Sequence, residues 1–296
     1  MMKKNKTLTI ILIVILSILV IGLTWLMVNL LAGKITVNNF RLFSSTSKEL
    51  VVDETYNLDF NKIDIYSESG DVYIKKSSNN EVKVIVYGEK EKTTVDTIND
   101  ELIISAKSTF CIGFCFNTNS KIEVYLPESY QNIIKVDSKY GDIELGNIEN
   151  ATLEINEECG NISVVGANVA NINNEYGNIK IGKVNVGNIS DSAGNIEIDT
   201  IYDAKVENQY GNIDIENVLN YLDVNNDCGD IEIDNLVLNK DSKITDDLGN
   251  IEIGNTNEIY IDAETDLGNV DIKNNYPKSK VTLTIKNNCG DIEIEN

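Results

Sequence analysis

The chain has 296 residues, with 25 Lys and Arg against 47 Asp and Glu, and no histidine. The missing histidine removes every Ser-His or Cys-His nucleophile pair, every imidazole base and every His-ligated zinc. A net charge of −22 with a single arginine, Arg41, argues against nucleic-acid binding, which needs a basic footprint.

In chain order, residues 1–6 form a short basic tail. Thr7 to Gly33 is a run of 27 uncharged residues dominated by Ile, Leu and Val. At about 1.5 Å per residue a helix of this length crosses a hydrocarbon core of about 30 Å. Lys3, Lys4 and Lys6 before it and Lys34 after it predict a single-pass anchor in the lipid membrane. They place the N-terminus in the cytoplasm and the rest of the chain outside. A cleaved signal peptide is the competing reading; its apolar core is shorter, about 7–15 residues, and Leu30 stands where cleavage after Ala32 wants a small residue. Residues 34–55 read as a stalk, with Ser44-Ser45-Thr46-Ser47 as its flexible part.

Residues 56–130 form an irregular N-terminal β region. Its strands are Lys62-Ile63-Asp64-Ile65, Asp71-Val72-Tyr73-Ile74, Val82 to Val86 and Lys121 to Pro127. Between the last two lies the apolar run Phe110-Cys111-Ile112-Gly113-Phe114-Cys115-Phe116. As a hairpin it would cap the N-terminal end of the core. As an exposed tip, Phe110, Ile112, Phe114 and Phe116 would be a contact loop for a membrane or protein partner. Cys111 and Cys115 are a possible disulfide across that small loop in an oxidising exterior.

Residues 131–296 carry a repeat. Gly-(Asn/Asp)-(Ile/Val) recurs in phase at Gly141, Gly160, Gly177, Gly194, Gly211, Gly229, Gly249, Gly268 and Gly290, at intervals of 17 to 22 residues. Two and four residues after each glycine, and five before it, the columns are apolar: Ile196, Ile198 and Ile189 around Gly194, for example. Polar residues alternate with them, the period of strands with one buried face. Two strands per repeat, joined at the glycine, cannot bury their apolar residues alone, but stacked repeats can. The expected fold is all-β, a β-solenoid of two-strand repeats behind one transmembrane helix. Nine coils at about 4.8 Å make a rod about 40 Å long. Antiparallel hairpins turning at the glycine are the structural alternative.

A Lys62-Ile63-x-Ile65 strand, Ser69-Gly70-Asp71-Val72, a strand ending in Leu126-Pro127 and then tandem Gly-(Asp/Asn)-Ile units follow one another over about residues 60–296. This order resembles the bacterial "putative adhesin" family of unknown function, whose members often carry an N-terminal membrane anchor. The resemblance implies a β-solenoid at the cell surface, and it supplies no catalytic residues.

Just before the motif glycine stand Tyr140, Cys159, Tyr176, Ala193, Tyr210, Cys228, Leu248, Leu267 and Cys289, a mixture that reads as packing. In the solenoid Cys159 and Cys228 lie four coils apart, about 19 Å, and Cys228 and Cys289 three, about 14 Å, beyond the disulfide limit of about 7 Å, so none of the three is expected to pair. The outward positions after the glycine predict an acidic face: Glu197, Asp199, Asp214, Glu216, Glu232, Asp234 and Glu252, extended by Asp271 and Glu293 and interrupted by Lys273. It reads as a solvated face, as a weak surface Ca2+ site, or as a surface for a basic partner. No other cofactor is expected. The final strand, Asp291 to Glu295, is expected to leave its edge open, guarded only by Glu293 and Glu295.

These readings converge on a non-enzymatic binding or adhesion module, with an unknown surface ligand or membrane protein as its partner. An accessory ectodomain of an envelope-sensing membrane complex is the alternative. A polysaccharide-active β-helix enzyme is a third reading, opposed by acids that stay in step with the repeat.

Overall fold

The computed structural model describes residues 41–45, 49–57, 60–108, 111–116 and 120–295. The expected tail, the membrane segment and residues 34–40 and 46–48 of the stalk lie outside these residues; the rest of the stalk falls in strands Arg41–Ser45 and Glu49–Asn57. Among the described residues no helix is long and apolar enough to cross a membrane.

The chain divides into two units. In the smaller one, strands Arg41–Ser45 and Cys111–Phe116 pair in parallel. The run expected as a hairpin cap or contact tip is thus a single strand. It holds both cysteines in one extended segment, where four residues span about 13 Å, so a bond between them requires that strand to fold back. Phe110 and the side chains of Ile112, Phe114, Phe116, Cys111 and Cys115 lie outside the described residues.

The larger unit, residues 48–108 and 119–296, is the solenoid. Parallel pairing keeps like residues in register, so Ile179 stands on Ile162 and under Ile196, and Ile189 on Ile172 and under Val206. All three expected apolar columns are buried through the Gly141 to Gly249 coils. A further column, seven residues after the glycine, joins them: Ile148, Ala167, Val184, Ile201, Val218 and Leu236 are buried too. The strand after each turn therefore does not end at the second isoleucine. In the Gly177 and Gly194 coils it runs on as Ile179–Asp191 and Ile196–Asn208. Steps of three residues between buried positions, such as Ile181 to Val184 and Val184 to Gly187, bend it toward the next coil.

The motif glycine is fixed by how closely coils approach. A Cβ on Gly194 would lie 1.9 Å from the Gly177 carbonyl oxygen, and Gly177 itself has φ +134°, which side chains resist. The Asn or Asp that follows has a separate reason. Its side-chain oxygen accepts the backbone N–H of the same position one coil on: Asn178 to Asn161, Asn195 to Asn178 and Asn212 to Asn195, at 2.9–3.0 Å.

Coil order departs from sequence order at both ends. The Gly70 coil (Lys62–Ser67, Gly70–Ser77) stands between the Gly141 coil and one made of Glu101–Ala106 and Ser120–Pro127. Antiparallel strands Thr93–Ile98 and Glu81–Gly88 lie on that outer coil, and Glu49–Asn57 lies on the latter. At the other end, Thr282–Cys289 pairs with both Ser242–Leu248 and Tyr260–Leu267, and Ile292–Ile294 pairs with both Ile251–Thr256 and Val270–Ile272. The last coil in sequence is thus second from the end in space. The expectation of an open C-terminal strand is overturned. The exposed edge belongs to the Gly268 coil, and Val270 is 41% exposed for that reason. Cys228 and Cys289 are consequently two coils apart, about 10 Å, rather than three; both are free, as is Cys159.

Candidate functional site

The acidic face forms as a register of stacked carboxylates. Lys180, Glu197, Asp214, Glu232, Glu252, Glu293 and Asp271 follow one another along one row. Asp199, Glu216 and Asp234 stand beside it at the next outward positions. Lys180 closes one end with an ion pair to Glu197 (2.7 Å), and Lys273 pairs with Glu295 (2.8 Å) at the other. Partial burial, then the neighbouring carboxylates, push Asp214 and Glu232 above their ordinary range. Among the described residues no group of three or more Asp, Glu or Cys converges well enough to hold a metal ion. The stack spaces its acids evenly instead of gathering them.

Toward the N-terminal end the same face changes character. Lys75 and Lys121 both bond the shielded Glu123 carboxylate at 2.9 Å, and their ammonium groups lie 5.0 and 5.1 Å from the Tyr73 ring. The two ammonium groups hold Glu123 below its ordinary range. This cluster is a bonded network of two ammonium groups on one carboxylate, with a net charge of +1 held against the tyrosine rings.

A third feature is internal. Three residues before each glycine the side chain points inward and is polar, giving the stacked series Ser67, Ser138, Glu157, Asn174, Asp191, Asn208, Asn226, Asp246, Asn287 and Thr265. All but Thr265 are buried. Amides in this column donate to turn carbonyls, as Asn174 does to Gly177 (2.9 Å) and Asn226 to Gly229 (2.7 Å). No oxygen of Asp191 or Asp246 completes a bond of good geometry. Burial pushes the Asp191 carboxyl up to about 6, against the N–H groups of Ala193 and Ser192 and the Asn174 amide, which pull it down. Burial and then Asp247 push Asp246 up to about 7. Burial raises Glu157 as well.

The column just before the glycine was expected to pack, and it does not. Tyr140, Tyr176, Tyr210, Leu248 and Leu267 are 54–70% exposed. Counting in steps of two from the buried positions puts this column inside, but the chain has already begun to turn there. Among the described residues, two of the hollows in the surface border charged side chains. One, of about 320 Å³, lies between Gly187, Asp203, Lys205, Tyr221 and Lys240, where Lys240 reaches back to Asp203 (3.2 Å). The other, of about 250 Å³, lies between Thr55, Asn79, Glu81, Lys83 and Tyr125. Each has one carboxylate in its wall. A register shift between Ile201 and Asp203 marks the first hollow in the structure; in sequence its only sign is an 18-residue interval.

Comparison with solved structures finds similar proteins at low identity. One is named as a "putative adhesin" from Bacteroides fragilis, 18% identical, covering 84% of this chain and 98% of that one with a TM-score of 0.44. Another is named as a "putative lipid binding protein" from Parabacteroides distasonis, 14% identical, covering 81% and 96% with a TM-score of 0.48. A third, a "putative adhesin" from the same organism, is 15% identical, covering 85% and 99% with a TM-score of 0.35. A search of curated proteins gives no match. The family model described as Toastrack DUF4097 matches residues 60–190 and 179–296, so the chain belongs to the Toastrack DUF4097 family.

Proposed function

We propose that the chain is a non-enzymatic binding module, anchored in the membrane by residues 7–33 and displayed outside the cell. The observation that carries this reading is the regularity of the surface. Outward carboxylates repeat coil by coil, and neither hollow brings two together for acid and base roles. A long, regularly repeating surface is suited to recognition. The acidic face and the apolar strand Cys111–Phe116 are its candidate contact surfaces. A weak Ca2+ site on the acidic face is opposed by the even spacing of its acids.

An accessory role in an envelope-sensing complex is the second reading. In-cell crosslinking of the full-length protein, followed by membrane purification and mass spectrometry, separates the two. Repeated recovery of one protein from the same membrane supports the accessory role. Recovery of partners from outside the cell supports the binding module, and detection of glycan cleavage by the purified chain overturns both.

A further inference from the structure

The exposed column before the motif glycine has an order visible only once the coils are placed in space. Along the stack it reads Tyr140, Cys159, Tyr176, Ala193, Tyr210, Cys228, Leu248, Cys289 and Leu267. Large and small residues alternate without exception. In sequence order Leu248 and Leu267 are neighbours and the alternation fails; the inserted C-terminal coil restores it. The result is a ridge of apolar knobs separated by two coils, about 9.6 Å, over about 38 Å. Each knob is more than half exposed, so burial within this chain does not account for it. Polar residues serve at such turns equally well.

We propose that this ridge is a docking track for a neutral β-1,4-linked glycan lying along the solenoid axis. In such a polymer successive sugars are flipped, so the same face returns every second unit, a length close to the two-coil spacing. A tyrosine ring offers a flat apolar face to the C–H side of a sugar and a hydroxyl at its rim. The ridge is flanked on one side by the Asn and Asp that follow each glycine. On the other side stand Lys139, whose ammonium group is 3.9 Å from Glu158, and the exposed Glu158, Glu175, Gln209 and Asp247. Carboxylates and amides of this kind bond sugar hydroxyls. The same acids decide the charge of the partner. A polyanion is repelled, and a second copy of the ridge brings its own acids against these.

The inference rests on the binding-module reading and narrows its partner. The test uses the full-length chain in detergent, retained on chitin and on cellulose, with an α-linked glucan as the control. Wild type is expected to stay on at least one β-1,4 polymer and to pass the α-linked one. Tyr176→Ser with Tyr210→Ser is expected to weaken retention about tenfold or more, with thermal unfolding unchanged because both rings face solvent. Tyr176→Phe with Tyr210→Phe is expected to keep most of it. Absence of retention, or equal retention of the Ser variant, overturns the glycan track. If crosslinking then still captures a partner from outside the cell, the binding-module reading stands without it; if it captures none, both fall.

Discussion

At the N-terminal end of the solenoid the outermost parallel coil is sealed: Leu102, Ile104, Ile122 and Val124 are fully buried because antiparallel strands lie on it. At the C-terminal end, among the described residues, no strand covers Tyr260–Leu267 or Val270–Ile272 on their outer side. Val270 is exposed there, unlike its buried counterparts in the stack, and a single side chain, Asn275, bonds the N–H and C=O of Ile261 at 2.9 and 2.8 Å. Both ends nevertheless share one device. The first and last coils in sequence sit one place in from the end, clamped on two sides. Where an end is covered, the outermost coil is core; where it is not, the clamp protects the chain terminus and leaves the outermost coil as the part that frays.

That comparison breaks if the two outer coils respond alike to truncation. Ile104→Ala at the sealed end is expected to cost about 2–5 kcal/mol, whereas Ile272→Ala at the open end costs about 1 kcal/mol or less. Urea unfolding with amide exchange resolved along the chain reads both. The internal polar column sharpens the contrast, since the sealed end holds Ser67 and Ser138 while Asp246 lies two coils from the open end. Asp246 binds its proton more tightly folded than unfolded, so stability falls as pH rises from its ordinary 3.8 through about 7 and the loss is complete above that. Asp246→Asn, which continues the amides of Asn226 and Asn287, is expected to gain about 3 kcal/mol at pH 8 and little at pH 4. Melting curves across that range check it.

Two smaller effects follow the same division. Gly194→Ala drives a Cβ into the Gly177 carbonyl between two fixed coils and costs about 1–3 kcal/mol. Gly268→Ala meets the Gly290 carbonyl at a similar 2.0 Å, but its coil is free to lift, and about half that cost or less is expected. Smallest is the surface row. Glu232→Gln, between Asp214 and Glu252, is expected to gain about 0.2–0.5 kcal/mol at low salt and nothing at high salt. Glu144→Gln, between Tyr73 and Ser163, changes stability in neither condition.

The apolar columns at two and four after the glycine and five before it are legible in sequence because one residue type repeats at each. The column three before is hidden by its variety: Ser, Glu, Asn, Asp and Thr share only polarity, and polarity reads as outward. The ridge before the glycine misleads for the opposite reason, since apolar side chains read as inward until the turn is placed. The acidic face needs only alternation and is read correctly as a face. Coil order leaves almost no trace; the 22-residue interval before Gly290, holding the segment 273–280 that carries the chain back inward, looks like an ordinary long loop.

Coil order is also what makes the ridge alternate, and one crosslink tests it. Leu248→Cys is placed in a chain whose only other cysteine is Cys289, the rest being serine, and thiols are joined by oxidation. With the last coil clamped inside, residues 248 and 289 are in-register neighbours at about 4.8 Å, and a bond joining those two peptides is expected. Leu267→Cys, beside Cys289 in either order, is the positive control. If Leu267→Cys closes the bond and Leu248→Cys does not, the coils follow sequence order, and both the clamp and the alternating ridge are wrong.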